Sequence, residues 1–325
     1  MQPYEQVIRE FNTQLSPAGL RVSFSNTLRG ARPDGIVIVG MGGSVLAGEI
    51  LRAAKAEVGL KLPVYVWRDY GLPENTDFRR PLYIFMSFSG NTEETISGLK
   101  FLLKRGRSRI TVITAGGELQ RLARRYRLPL VEFEPGILTP RQAIGIMFYS
   151  LIEILRRVGL TLKVSSFTRI KPPSLRGIGK ALAARLHGRL ITIYTDHAHR
   201  ALGYIWKIKF NETAKTLAFA NVVPEMNHNE LVGFEKLKTS MAALFLLDNT
   251  SRSPRLKKRF RLNQLLLRSR GVRVITLPLK GKSFLEKTWR AIILADWTAY
   301  FLAKLNRVDP AKTAVIDELK ARMKQ

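Results

Sequence analysis

Short β-branched runs alternate with amphipathic segments along the first half of the chain. GIVIVG (35–40), PVYVW (63–67), LYIFMS (82–87), ITVITA (110–115) and LPLVEF (128–133) are the lengths of strands. Several are apolar almost throughout, as a strand covered on both faces must be. Between them, VLAGEILRAAKAEVG and TEETISGLKFLLKRG return an apolar residue every three or four positions, which predicts helices with one face on a core. The alternation βαβ predicts a mainly parallel sheet with helices on both sides. The same alternation recurs in the second half, with RLITIYTD (189–196), MAALFLLD (241–248) and VRVITLP (272–278) as strands. Around residue 170 the periodicity lapses, in a stretch with two prolines and several serines. The chain therefore reads as α/β, with two doubly wound, mainly parallel sheets flanked by helices. Residues 1–160 form one domain and 178–325 the other, with a linker over 161–177.

Composition narrows the function classes. A chain of 325 residues, 46% hydrophobic, can bury substantial cores. Its longest apolar runs are too short or too rich in glycine to span a bilayer, and MQPYEQVIRE lacks a signal peptide's apolar stretch, so a soluble cytoplasmic protein is expected. The absence of cysteine excludes disulfides and thiolate chemistry. A formal net charge of +29 invites a nucleic-acid partner, but the charge is spread along the chain. Its densest clusters, RLARRYR (121–127) and LKKRFRLNQLLLRSR (256–270), carry leucines at helical spacing and read as solvated helix faces. No segment is left over for a DNA-reading module, so nucleic acid is not expected as a partner. A basic surface also steers small anions toward a cleft.

Two loops in the first half have phosphate-binding character. VGMGGS follows a predicted strand and opens a helix, so Gly40, Gly42 and Gly43 allow close backbone approach and Ser44 offers a hydroxyl beside the helix N-terminal amides, which suits an anion. A dinucleotide fingerprint starting at Gly40 would need glycine where Val45 stands, and LKGKS (279–283) has Thr276 where a P-loop has its first glycine. Both nucleotide readings fail. MSFSGNTEET (86–95) presents Ser87, Ser89 and Thr92, with Gly90 as turn residue and Glu93 and Glu94 in the first helical turn. A plain helix cap explains one hydroxyl there, but three within six residues suit a monophosphate on a small molecule, held where both loops emerge from the carboxyl ends of strands.

The motif S-x-S-G-x-T after a strand, in duplicated α/β domains, resembles the sugar isomerase (SIS) domain family. GMGGS, SFSGNTEET, TPRQA, NETAK, PEMNHNE and VIDELK follow one another in the order and rough spacing of the archaeal-type bifunctional phosphoglucose/phosphomannose isomerases. That resemblance spans nearly the whole chain. It implies two SIS domains, and a phosphate held by Gly43, Ser44, Ser87, Ser89 and Thr92. It also implies that Arg141 contacts the substrate near the reacting carbons and that Glu212 is the base moving a proton between C1 and C2. His228 and Lys320 match the pair that opens the sugar ring, and Thr313 matches the threonine linked to acceptance of both C2 epimers. The implied partners are hexose 6-phosphates and a second copy of the chain, with His228 supplied across a homodimer interface. Neither a cofactor nor a metal is implied. Thr213 departs from the family pattern, where another polar residue is common.

Ordinary alternatives stand beside these assignments. Glu212 and Lys215, at i and i+3, match a surface helix ion pair; Lys320 matches a solvated terminal lysine, and His228 a core histidine. Glu225, His228 and Glu230 together do not suit a metal, because i, i+3, i+5 is not one helix face. His197 and His199 would share one side of an extended segment and read as structural or loop residues. From Thr216 to Glu235 this basic chain has neither Lys nor Arg. An added lysine there would compete for the substrate's phosphate or perturb the proton on His228.

Overall fold

A computed structural model describes residues 3–16, 22–25, 32–74, 78–105, 109–237, 239–250 and 253–323, with backbone alone for 22–25. It divides into two compact units. One comprises residues 9–171 with 283–285; the other comprises 172–282 and 286–323 together with residues 3–8.

The unit of residues 9–171 holds a six-stranded sheet. Its strands are β1 (Val22–Ser25), β2 (Gly35–Gly40), β3 (Val64–Trp67), β4 (Pro81–Ser87), β5 (Arg109–Thr114) and β6 (Leu130–Phe133), in the order β1-β6-β5-β4-β2-β3. All neighbours are parallel except β1, which runs antiparallel to β6. Every residue of β2 is buried, as its unbroken apolar run requires. Val37, Val39 and Phe85 pack against Leu99 and Leu102 of the helix Glu93–Lys104. The chain leaves β2 for β3 on one side, then returns for β4 on the other. The loops after β2 and β4 therefore flank the point where strand order reverses, which is where open α/β sheets bind ligands.

The second unit repeats this plan with four parallel strands. They are β7 (Leu190–Asp196), β8 (Ala218–Val223), β9 (Met241–Leu247) and β10 (Arg273–Pro278), in the order β10-β9-β7-β8. Here order reverses between β7 and β9. Residues 3–8 join this unit through aromatic and polar contacts: Tyr4 stacks on Tyr300 with ring centroids 6.2 Å apart, and the Tyr300 hydroxyl donates to Glu5 at 2.9 Å. The hydrophobic pattern groups these residues with the first sheet, because it cannot register a pairing with a helix some 300 residues away. Among the described residues no helix is long and apolar enough to cross a membrane.

Two strands escape the pattern. β1 is a four-residue edge strand, too short to set a period. β8 is also an edge strand, and Asn221 lies in it while Phe219 is exposed, so it shows neither continuous burial nor clean alternation.

Candidate active site

Within the unit of residues 9–171, hydrogen bonds and close backbone approach bring together the loops that carry the phosphate candidates. Ser44 lies in the single turn Gly42–Val45 after β2, and its hydroxyl accepts from the Phe88 amide at 2.9 Å, which joins that loop to the one after β4. Gly43 faces the backbone of the TPRQA segment. A Cβ there would lie 3.0 Å from both the Pro140 carbonyl carbon and the Arg141 nitrogen, so any larger residue would push the two backbones apart by a few tenths of an ångström. Arg141 is buried, with 2% of its surface exposed. In the loop after β4, the Ser87 and Thr92 hydroxyls pair at 2.8 Å and Ser87 also accepts from the Gly90 amide. Gly90 has φ +69°, and a Cβ on it would meet the Gly116 carbonyl oxygen at 1.7 Å. Thr92 is the N-cap residue of its helix but makes no side-chain cap bond, because its hydroxyl is turned to Ser87. The simple-cap alternative thus fails for Thr92. Ser89 is exposed and accepts from the Asn91 amide at 3.2 Å.

Glu212, His228, Thr313 and Lys320 belong to the other unit. Glu212 sits half-buried on a π-helical turn, Lys209–Thr213, at the end of the helix Arg200–Ile208. Such turns widen a helix locally and recur at functional sites. Fixed polar contacts surround this one. Lys209 is fully buried, 2.5 Å from Asp296; the Asn211 side chain pairs with both backbone groups of Ala218; and Thr213 meets the Tyr4 hydroxyl at 2.8 Å. Lys215, at φ +49°, sends its ammonium to the carbonyls of Glu212, Asp309 and Lys312. It thereby ties the Glu212 turn to the loop leading into the helix Ala314–Arg322. Thr313 caps that helix with its backbone, and Lys320 lies exposed two turns on.

His228 ends a short 3-10 turn, Glu225–His228, and is exposed, so it is not a core histidine. Among the described residues no hydrogen bond or ion pair ties it to Glu212 or Lys320. Glu230 accepts from the Tyr194 hydroxyl at 2.9 Å and from the Asn221 amide, so it fastens the loop to β7 and β8 and does not hold the histidine ring. Burial, then the adjacent Glu230 carboxylate, pushes the Tyr194 phenol's pKa upward, which keeps the phenol as a donor. Glu225 accepts from Asn229 at 3.3 Å.

This chain is 30% identical over 318 residues, 97% of each chain, to a bifunctional phosphoglucose/phosphomannose isomerase of Thermoplasma acidophilum. The chain belongs to the bifunctional phosphoglucose/phosphomannose isomerase family. A Caldicellulosiruptor bescii protein of the same name is 33% identical over 307 residues, 89% of each chain. A model of the bacterial phospho-glucose isomerase C-terminal SIS domain matches residues 177–323. The fold is also that of a glucosamine-6-phosphate deaminase from Thermotoga maritima, with TM-score 0.68, 17% identity and 96% coverage of both chains. This isomerase family is an enzyme family, which fits a chain that positions a half-buried carboxylate on a π-helical turn.

Sequence reasoning missed the anchors around that carboxylate. Lys209 and Lys215 are two among 54 basic residues, so composition gives no hint that one is fully buried and the other bonds three carbonyls. The histidine pair also differs from an extended arrangement. After β7 the chain turns, leaving His197 exposed and His199 buried with its Nδ1 2.7 Å from Asp196.

Proposed function

We propose that this chain interconverts glucose 6-phosphate and mannose 6-phosphate with fructose 6-phosphate. The phosphate is held by Ser44, Ser87, Ser89 and Thr92 with the amides beside Gly43. His228 and Lys320 pass the proton of the C1 hydroxyl to the ring oxygen, which opens the ring. Glu212 then removes the proton from C2 to give a cis-enediol and returns it at C1, while Arg141 stabilises the charge developing on oxygen. An enediol has no configuration at C2, so both epimers reach the same ketose, with Thr313 beside the substrate. These steps need one base and donors for an oxyanion, and the chain's own side chains supply them.

The observation that most supports this proposal is the Ser87–Thr92 hydroxyl pair at the strand-order reversal, where Thr92's oxygen is withheld from its own helix end. We propose further that the protein works as a cytoplasmic homodimer in which the neighbouring subunit supplies His228. In support, the His228 side chain is exposed and makes no hydrogen bond or ion pair among the described residues, Leu217 and Phe219 on and beside the edge strand β8 are 58% and 50% exposed, and no residue of the helix Ala314–Arg322 is buried.

The test is a purified-protein assay for fructose 6-phosphate from each aldose phosphate, with glucosamine 6-phosphate as the comparison substrate. Turnover of both hexose phosphates is expected, and turnover of neither would sink the proposal. Glu212→Gln should retain phosphate binding while C2 proton exchange with solvent is lost; persistent exchange would move the base to another residue.

A further inference from the structure

The second sheet reverses its strand order between β7 and β9, just as the first does between β2 and β4. In the first sheet that position carries hydroxyl loops. In the second it carries a cavity of about 270 Å³ whose walls include Asp196, the last residue of β7, and Asp248, the first after β9. Lys257 and Arg261 line it from the helix Pro254–Ser269, and Phe260 of that helix supplies an apolar wall.

The polar groups at the floor are held by buried partners. Asp196 accepts from the backbone amide of His199 and pairs with its Nδ1 at 2.7 Å. Asp248 receives the Lys287 ammonium at 2.8 and 2.9 Å, and the same ammonium reaches the Thr250 hydroxyl at 2.7 Å. His199 and Lys287 are 3% and 6% exposed. A solvated helix face has no need of this arrangement. Bringing a histidine, a lysine and two carboxylates into one nearly buried cluster costs desolvation that exposed residues would avoid, and such clusters in cavities mark binding sites. None of the groups assigned to the isomerase chemistry is among them.

We propose that this cavity is a second ligand site, for a small hydroxylated phosphate ester of sugar-phosphate size. Lys257 and Arg261 at the rim, with Lys287 held behind Asp248, outnumber the two carboxylates, so the cluster carries net positive charge and favours an anion. The exposed Lys257 and Arg261 take the phosphate at the rim, and the fixed Asp196 and Asp248 carboxylates accept hydrogen bonds from hydroxyls at the floor. The polarity is thus the reverse of the first sheet's site, where the phosphate sits on the loops themselves. A volume of about 270 Å³ lies just below the usual range for drug-sized ligand pockets, which suits a monosaccharide phosphate and excludes a dinucleotide.

Titration calorimetry tests this on the full-length Glu212→Gln protein, which stops turnover during the measurement. Glucose 6-phosphate should bind at two sites per chain. In the Lys257→Gln/Arg261→Gln background one site should weaken at least tenfold and the other should not change. Arg268→Gln/Arg270→Gln, at the C-terminal end of that helix and outside the cavity lining, controls for lost net charge. Inorganic phosphate should compete weakly at the second site, and unphosphorylated glucose should not bind there. A single binding event per chain that the cavity pair leaves unaltered overturns the proposal, as does equal weakening by the control pair. The readout is stoichiometry, so it stands whether or not the unsubstituted protein isomerises hexose phosphates.

Discussion

Replacing Asp296 with asparagine tests what holds the Glu212 turn. Lys209 and Asp296 are 0% and 1% exposed in their side chains and lie 2.5 Å apart, so the substitution leaves an ammonium facing a neutral amide in the core. Removing one partner of a buried pair costs about 3–5 kcal/mol. For a unit of this size, the loss lowers the melting temperature by about 6–20 °C. Tryptophan fluorescence is a suitable probe, since Trp206, Trp289 and Trp297 all belong to this unit and only Trp67 to the other. Lys209→Met/Asp296→Leu, which removes both charges, should melt within a few degrees of the unsubstituted protein. A single substitution that melts normally, or a double one as unstable as the single, would refute the account of a pair whose charges depend on each other.

Ser87→Ala or Thr92→Ala should lower kcat/KM by roughly 10- to 150-fold, the worth of about 1.5–3 kcal/mol for a hydrogen bond to a charged group. The two losses should fall short of additive because the hydroxyls share one hydrogen bond, and strict additivity in the double variant would show that they act separately. Lys215→Met removes the donor from three carbonyls around the Glu212 turn and should cut kcat by about ten- to a hundredfold, with inhibition by inorganic phosphate unchanged. Burial pushes the Asp248 carboxyl's pKa up, but the Lys287 and Thr250 hydrogen bonds outweigh it and leave it below the usual range. A depressed folded-state value means that the stabilisation is fully present above the unfolded value, about pH 3.9, and is lost as pH falls through the folded one. The stability gap between the unsubstituted protein and Lys287→Met should therefore be wide near neutrality and shrink in acid; a gap that does not change with pH would contradict this.

Which parts of the molecule were legible follows from how far each signal reaches along the chain. Strands such as GIVIVG announce themselves because burial on both faces leaves an unbroken apolar run, and the hydroxyl loops stand out because three oxygens within six residues exceed what a helix end needs. β8 was hidden because an edge strand has one open side, and its exposed Phe219 and its Asn221 break the period. The π-helical turn was hidden for a different reason. KFNETAK has ordinary helical composition, and the widening is set by contacts with Tyr4, Ala218, Asp296 and the 309–312 loop, all remote or on other elements. Cooperation between distant polar groups leaves no local pattern to read.

The cation-free passage from Thr216 to Glu235 illustrates the same limit. Competition for substrate phosphate, or perturbation of the proton on His228, is a natural explanation when only the neighbouring letters are visible. The structure offers a nearer cause. Glu230 reaches back to Tyr194 on the central strand β7 and to Asn221 on the edge strand β8, so one carboxylate fixes the turn that ends at His228. Its two partners are neutral donors. An ammonium or guanidinium on β8 or in the turn would form a stronger, charge-assisted bond to the same carboxylate and draw it off the phenol. The strand side would then lose its anchor, and His228, whose side chain makes no hydrogen bond among the described residues, would lose what fixes its position. Keeping lysine and arginine away thus preserves a weak but directional attachment. Asn221→Lys tests this: it should capture Glu230, free the Tyr194 hydroxyl and slow ring opening, while supplying open-chain substrate restores the rate. A rate deficit that persists with open-chain substrate would place the fault in the proton transfer proposed for Glu212 and refute the anchoring role.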